Sequence, residues 1–339
     1  MGCVAAFWLG AVAASRAAVD EPQGAVFAIT EENDSLVNTF GPHQDRHYTQ
    51  GLKFAYLGGD NDFSNATAAI SAVLPTFAID PTASDLGFVF GQNIYTPMNM
   101  QLKNPDPLDR PYAGWLYGGA FLQRRGLTAG SVPTLENFGV NVGIVGPESL
   151  GGTMQTWFHD TFHFDVPKGW HHQLHTEPGL DLKYARLWRL SMSPESAHYC
   201  DLIPYVGGSA GNILVAGNVG ATVRAGWDLP NDFGIPINDS AYSVNGGLTT
   251  NAPAFSAYGF GRAEGRAVGH NIFLDGNSFQ DGPHVNKEPL VADLSFGLSA
   301  RLFRHVELSY MRVIRTCEFV HQPNRDTFGS ITAKVMFSF

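Results

Sequence analysis

From Leu290 to Leu302 apolar and polar side chains alternate. Leu290, Ala292, Leu294, Phe296, Leu298, Ala300 and Leu302 fall on one face of an extended chain. Val291, Asp293, Ser295, Gly297, Ser299, Arg301 and Phe303 fall on the other. A period of two marks a β-strand whose faces meet different surroundings. The same beat runs through Val219, Ala221, Val223, Ala225 and Trp227, which alternate with Gly220, Thr222, Arg224 and Gly226. It recurs where Leu52, Phe54 and Tyr56 alternate with Gly51, Lys53 and Ala55. Segments of this kind are predicted near 25–31, 47–58, 85–95, 114–125, 134–144, 177–189, 201–209, 217–227, 255–268, 289–303, 305–316 and 328–339, with 210–218 the least well defined. A sandwich turns its polar face to water and uses short strands. Here several runs reach ten residues or more, and their polar face carries Lys, Arg, Asp, Ser and Gly. Strands of about 9–11 residues, apolar outside and polar inside, are those of a transmembrane barrel with an even strand number. The prediction is an all-β, antiparallel transmembrane barrel of about twelve strands, occupying 18–339 as one domain.

The two ends of the sequence agree with this reading. MGCVAAFWLGAVAASRAAVDEP has an apolar run from Val4 to Ala14, then small residues around Ser15 and Ala17, and is expected to be a secretory signal over 1–17. Its first residues lack the usual Lys or Arg, and Ala6 stands where a myristoylation signal needs Ser or Thr. At the other end, FGSITAKVMFSF places Ile331, Ala333, Val335, Phe337 and Phe339 on one face. It resembles the terminal strand of bacterial outer-membrane proteins, whose last aromatic is read by the barrel-insertion machinery.

With both termini on the periplasmic side, the loops after strands 1, 3 and 5 face outward. These are 32–46, 96–113 and 145–176, all rich in polar residues. The third contains GGTMQTWFHD, a helix-like decamer in a strand-rich chain. Gln155 and His159 lie four apart and share a helix face, with Met154 and Phe158 as an apolar pair beside them.

Composition narrows the partners. The chain is 44% hydrophobic with a net charge of −10. It has no basic stripe, so no nucleic-acid partner is expected. No apolar run reaches the length of a spanning helix. Cys200 and Cys317, which remain beyond the signal, have no metal-site spacing.

The candidate chemistry lies in the three outward loops. Asn33-Asp34 closes the first strand, where such residues also serve simple turns. Asp34 offers a hard oxygen for a cation such as Ca²⁺. Thr49, by parity with Gly51, Lys53 and Ala55, is expected to face the lumen. His159 is a natural general base near neutral pH. Thr49 and Gln155 could steady an oxyanion or a water. Lys103 and Arg110 could hold a phosphate, and Arg110 could equally pair with Asp109 or a lumen carboxylate. Trp115, Tyr117 and Trp170 read as a membrane-interface belt. Zinc is the weaker metal: His159 and His163 are four apart, with His171, His172 and His175 downstream, but no H-E-x-x-H is present. A serine hydrolase is disfavoured because no G-x-S-x-G occurs.

Several of these pieces together resemble the lipid A 3'-O-deacylases of Gram-negative outer membranes. They are END at 32–34, YTQGL at 48–52, QNIYTP at 92–97, DRPYAGWLYGG at 109–119 and GPESLGG at 146–152, followed by Gln155, His159 and Gly169-Trp170. They span roughly the first half of the chain, and the second half matches by barrel pattern. The resemblance implies a twelve-stranded barrel with an active site at the extracellular rim, between the wall and a helical third loop. It implies Ca²⁺-dependent hydrolysis of the ester-linked 3' acyl group of lipid A in lipopolysaccharide. It places Asn33, Asp34, Thr49, Gln155 and His159 on the family's catalytic group, Lys103 near a basic substrate-binding stretch, and Asp165 where an acidic helper stands. An outer-membrane phospholipase and a non-catalytic pore or surface-binding barrel are the other readings.

Overall fold

In the computed structural model twelve antiparallel strands form one closed barrel, each beside its neighbours in sequence and the first closing on the last. They are β1 Ala25–Asn33, β2 His47–Leu57, β3 Ile79–Thr96, β4 Ala113–Thr128, β5 Val132–Val145, β6 Glu177–Trp188, β7 Cys200–Gly211, β8 Leu214–Trp227, β9 Phe255–Asn271, β10 Leu290–Leu302, β11 Val306–Arg315 and β12 Asp326–Phe337. The structure describes residues 24–37, 46–59, 62–129, 131–193, 195–236, 244 and 253–337. The expected signal at 1–17 and the terminal Phe339 lie outside them.

Alternation sorts the side chains as the sequence foretells. Leu294, Phe296 and Leu298 are exposed on the outside of β10, while Asp293, Ser295 and Arg301 are buried inside. The 210–218 segment resolves into a short turn at Asn212-Ile213 between two strands. β3 begins at Ile79, ahead of the expected 85: the added stretch contains Pro81, a residue that argues against a strand in sequence, and the chain accommodates it with a bulge at Pro81/Ala83. A helix, α1 (Ser64–Val73), was not foreseen in the β2–β3 connection. That connection marks what we call the lower rim; the upper rim carries the β1–β2, β3–β4 and β5–β6 connections.

The lumen is filled with paired charge. Arg224 binds Asp201 at 2.6 Å and also meets Asp232. Arg301 binds Glu307 at 2.7 Å and Asp232 at 3.2 Å, and Lys334 binds Glu307 at 2.9 Å. All six side chains are almost fully buried. Asp232 comes from the β8–β9 connection, which folds back into the barrel and buries Phe233 and Ile235 with it. Trp115 and Tyr117 also point inward, stacked at 5.6 Å and buried. They belong to the lumen core rather than to an interface belt, because their parity on β4 matches that of Phe121 and Gln123, not of the outward Leu116.

Candidate active site

The chain entering β6 first turns through Pro147–Ser149 and then forms α2 (Gly151–Phe162). The helix ends at His163, whose left-handed backbone (φ 61°) lets its amide bond the His159 carbonyl. Its buried face is Gly151, Gln155 and His159, the four-residue repeat read from the sequence. That face lies on the outside of the wall. Gln92, outward on β3, donates to the Ser149 carbonyl at 2.6 Å. Ile94, one outward position higher, is fully buried where α2 crosses. Gly114 allows this approach, since a side chain there would overlap the Ser149 hydroxyl.

Between α2 and the outer wall lies a cleft of about 510 Å³. Its wall side is Glu31 and Asn33 of β1 with Thr49 and Gln50 of β2. Its helix side is Gln155, Phe158 and His159, with Phe164 and Asp165 beyond, and Met98–Gln101 close one end. Glu31 and Asn33 share the outward parity of Phe27 and Ile29. The expectation that Thr49 faces the lumen is therefore corrected. A bulge between Tyr48 and Gln50 adds one residue to β2, so parity counted from Gly51 fails there. Thr49 lines the external cleft, and its hydroxyl pairs at 2.6 Å with that of Thr96.

His159 is held by its own loop. Its Nδ1–H donates to the Asp165 carbonyl at 2.8 Å. A carbonyl only accepts, so the neutral ring carries its lone pair on Nε2. Asp165 thus orients the imidazole through its backbone. Gln155 is fixed at both ends of its amide: Oε1 accepts from the Trp170 indole at 2.9 Å, and Nε2 faces the Met100 sulfur at 3.2 Å. Trp170 is a support of the site, not part of an interface belt. Its ring lies against Gly152, where a Cβ would stand 2.8 Å from it. Gly152→Ala is expected to push the indole off Gln155 and lower turnover by about 10- to 100-fold, the usual cost of ångström-scale misplacement. Comparing initial rates at matched amounts of folded protein checks this.

The other expected site residues are more scattered. Asp34 starts a turn, Asp34–Val37, that packs on β12. It accepts from the Arg46 amide at 2.7 Å and lines a neighbouring cavity of about 160 Å³ with Arg46, Arg312 and Asp326. Lys103 is exposed on the β3–β4 connection and does not line the cleft. Arg110 is buried, bound to Glu318 at 3.0 Å and lying over the Tyr95 ring at 5.1 Å. Of its two readings, the ion pair with a buried carboxylate is the one seen. Burial alone would raise the Glu318 carboxyl, but Arg110 and Arg315 together hold it below its ordinary value.

Two residues to which the sequence assigns no role, His47 and Glu31, complete the frame. His47, with a left-handed φ of 60°, has Nδ1 2.8 Å from Asp326 and Nε2 3.3 Å from Asp109. Asp109 in turn accepts from the Met98 amide at 2.7 Å, which ties the start of β2 to the segment closing the cleft. Burial would raise the Asp109 carboxyl, but His47 and the Met98 and Arg110 amides keep it low. The signal for Glu31 was available: a carboxylate at the parity of Phe27 and Ile29 has no business facing lipid unless something covers it.

For a cation, the cleft supplies the Glu31 and Asp165 carboxylates, the hydroxyl of Thr49 and the side-chain amides of Asn33 and Gln155, with one imidazole. Such an oxygen-rich, mixed set suits Ca²⁺. Among the described residues no three His, Cys, Asp or Glu side chains gather as a metal-binding group. The cluster of thiolates and imidazoles that a structural zinc prefers is thus not formed by them.

A family model described as "Outer membrane protein LpxR" matches residues 3–337. Among solved structures, the chain is similar to LpxR from Salmonella typhimurium, with 20% identity and a TM-score of 0.67, covering 92% of this chain and 100% of that one. At that identity the likeness is one of fold. The β domain of the Bordetella autotransporter BrkA matches with 9% identity and a TM-score of 0.42, over 93% of this chain and 99% of that one. No curated protein matches the sequence.

Proposed function

The chain belongs to the LpxR family of outer membrane proteins, and from that premise we propose that it hydrolyses the ester-linked 3' acyl group of lipid A at the extracellular rim, with Ca²⁺ as cofactor. One observation carries the reading. A histidine with a fixed tautomer lines a polar cleft on the lipid-facing side of the wall. An ester at the head-group level of the outer leaflet meets such a cleft without leaving the membrane.

The residues divide the work. His159 Nε2 takes a proton from water as that water attacks the ester carbonyl, and returns it to the departing 3' sugar oxygen when the tetrahedral intermediate breaks its C–O bond; the Asp165 carbonyl steadies the imidazolium in between through Nδ1–H. The Thr49 hydroxyl and the Gln155 amide stand where they can position the water or the oxyanion. Bound Ca²⁺, held by the oxygens of Glu31, Asn33, Thr49, Gln155 and Asp165, would polarise the carbonyl as a Lewis acid. Asp34 would then act from the adjoining cavity, by ordering the turn that follows Asn33. Phe158 stacks near Phe162 and Phe164, at 4.7 and 6.1 Å, and all three are exposed. They give the cleft an apolar lip suited to acyl chains.

The test is mass spectrometry of lipid A from cells with and without the protein. Loss of the 3' acyloxyacyl group is expected. Intact lipid A with cleaved phospholipid would favour the phospholipase reading, for which the same base would serve. Unchanged lipids would leave the non-catalytic barrel, although the charge-filled lumen argues against a pore. Activity is expected to vanish in chelator and return with Ca²⁺ alone. Ca²⁺ should also raise the unfolding temperature of the wild type more than that of Thr49→Ala. Full activity in chelator would remove the metal from the scheme.

A further inference from the structure

The β2–β3 connection on the lower rim takes no part in the cleft. From Phe63 to Ala78 it has no charged side chain, yet most of it is exposed. Helix α1 within it buries only Thr67. A helix facing water on most of its sides normally carries charge there. Here the exposed positions are alanine, serine, asparagine, Ile70 and Val73, the last 80% exposed, and Phe63 and Phe77 at either end are also exposed.

The wall beneath has the opposite character. Arg124, Glu136 and Arg186 are register partners across β4, β5 and β6 and share the outward parity of the exposed Val140 and Leu182. Three charges facing lipid would be costly. They are almost fully buried instead, because the connection lies over them. Arg124 donates to the Pro75 and Leu74 carbonyls at 2.7 and 3.1 Å and to the Ser71 hydroxyl at 3.1 Å. It thereby satisfies carbonyls at and just beyond the end of α1, where the helix leaves acceptors over. Arg186 donates to the Phe77 carbonyl and lies 3.4 Å from Glu136. Rings join the connection to the apolar band above: Phe63 meets Phe88 at 5.4 Å, and Phe77 meets Phe138 and Tyr184 at 6.5 and 5.4 Å.

We propose that residues 63–77 form a membrane-seated strap, whose outer surface contacts the acyl–headgroup boundary of the phospholipid leaflet at the lower rim. The charge of the wall lies beneath it, while its outer side is uncharged and carries alanine, Ile70 and Val73, the reverse of a strap facing water. Its outer surface continues the lipid-facing band through Phe88. This does not depend on the enzymatic reading.

A nitroxide at Val73→Cys tests it, in the full chain with Cys3, Cys200 and Cys317 changed to serine, reconstituted in phosphatidylethanolamine–phosphatidylglycerol vesicles. Glu195→Cys, exposed on another lower-rim connection, is the aqueous control. Relaxation by oxygen, which partitions into lipid, is expected to exceed relaxation by an aqueous nickel chelate at 73, with the order reversed at 195. The heat-dependent gel shift of folded barrels confirms that each variant is native. A label at 73 that behaves like the one at 195 would overturn the proposal. So would one shielded from both reagents, which would mean that protein covers the strap.

Discussion

His159→Ala is expected to lower lipid A deacylation by about 10³-fold, within the span a positioned general base contributes. His163→Ala, one helical turn on, should stay near wild type. The contrast follows from placement. His159 is buried on the wall side of α2, with Nδ1–H committed to the Asp165 carbonyl, whereas His163 is exposed at the helix end. His159→Gln should be nearly as inactive, since an amide cannot accept the proton at neutral pH. Rates of 3' acyl release, measured on refolded protein of equal gel-shift purity, decide the matter. Equal losses at 159 and 163 would point to a damaged loop and not to a lost base.

The largest effect on stability is expected from the lumen. Asp232→Ala removes the carboxylate shared by Arg224, Arg301 and Lys334, all nearly inaccessible to water. Leaving buried charge uncompensated costs about 3–5 kcal/mol. The barrel should lose its heat-resistant gel mobility at a clearly lower temperature. Asp232→Asn, which keeps the shape and part of the hydrogen bonding, should fall between. Deacylation measured well below that temperature should hardly change, because the network and the cleft lie on opposite sides of the wall. If it fell as far as in His159→Ala, the separation between lumen and cleft would be wrong.

The strands were legible because a barrel imposes one rule along the whole chain. Lipid on one side and a polar interior on the other make each strand alternate, and a residue such as Leu298 or Arg301 declares its side. The rule fails where the backbone departs from a period of two. At Thr49 a bulge adds a residue, so the count from Gly51 assigns the wrong face, and the side chain lines the external cleft instead. Trp115 and Tyr117 were assigned by residue type when parity with Gln123 would have placed them inside. Helix α1 escaped because its Ala- and Ser-rich sequence has no apolar stripe. Asn33, Thr49, Gln155, His159 and Asp165 converge on one cleft as the motifs implied. Asp34, Lys103 and Arg110 do not join them, since nothing in their spacing fixes how a loop folds back. Glu31 and His47 received no role from the sequence because what they do depends on what covers them.

The outward position of the cleft governs how the proposed activity must be assayed. A substrate that reaches it by sliding in the plane of a leaflet is encountered in two dimensions. Its effective concentration is its mole fraction among neighbouring amphiphiles, not its molarity in the tube. Adding inert detergent at constant protein and substrate should therefore slow the reaction by surface dilution, while enlarging the aqueous volume at a fixed micelle composition should leave the turnover of each enzyme molecule unchanged.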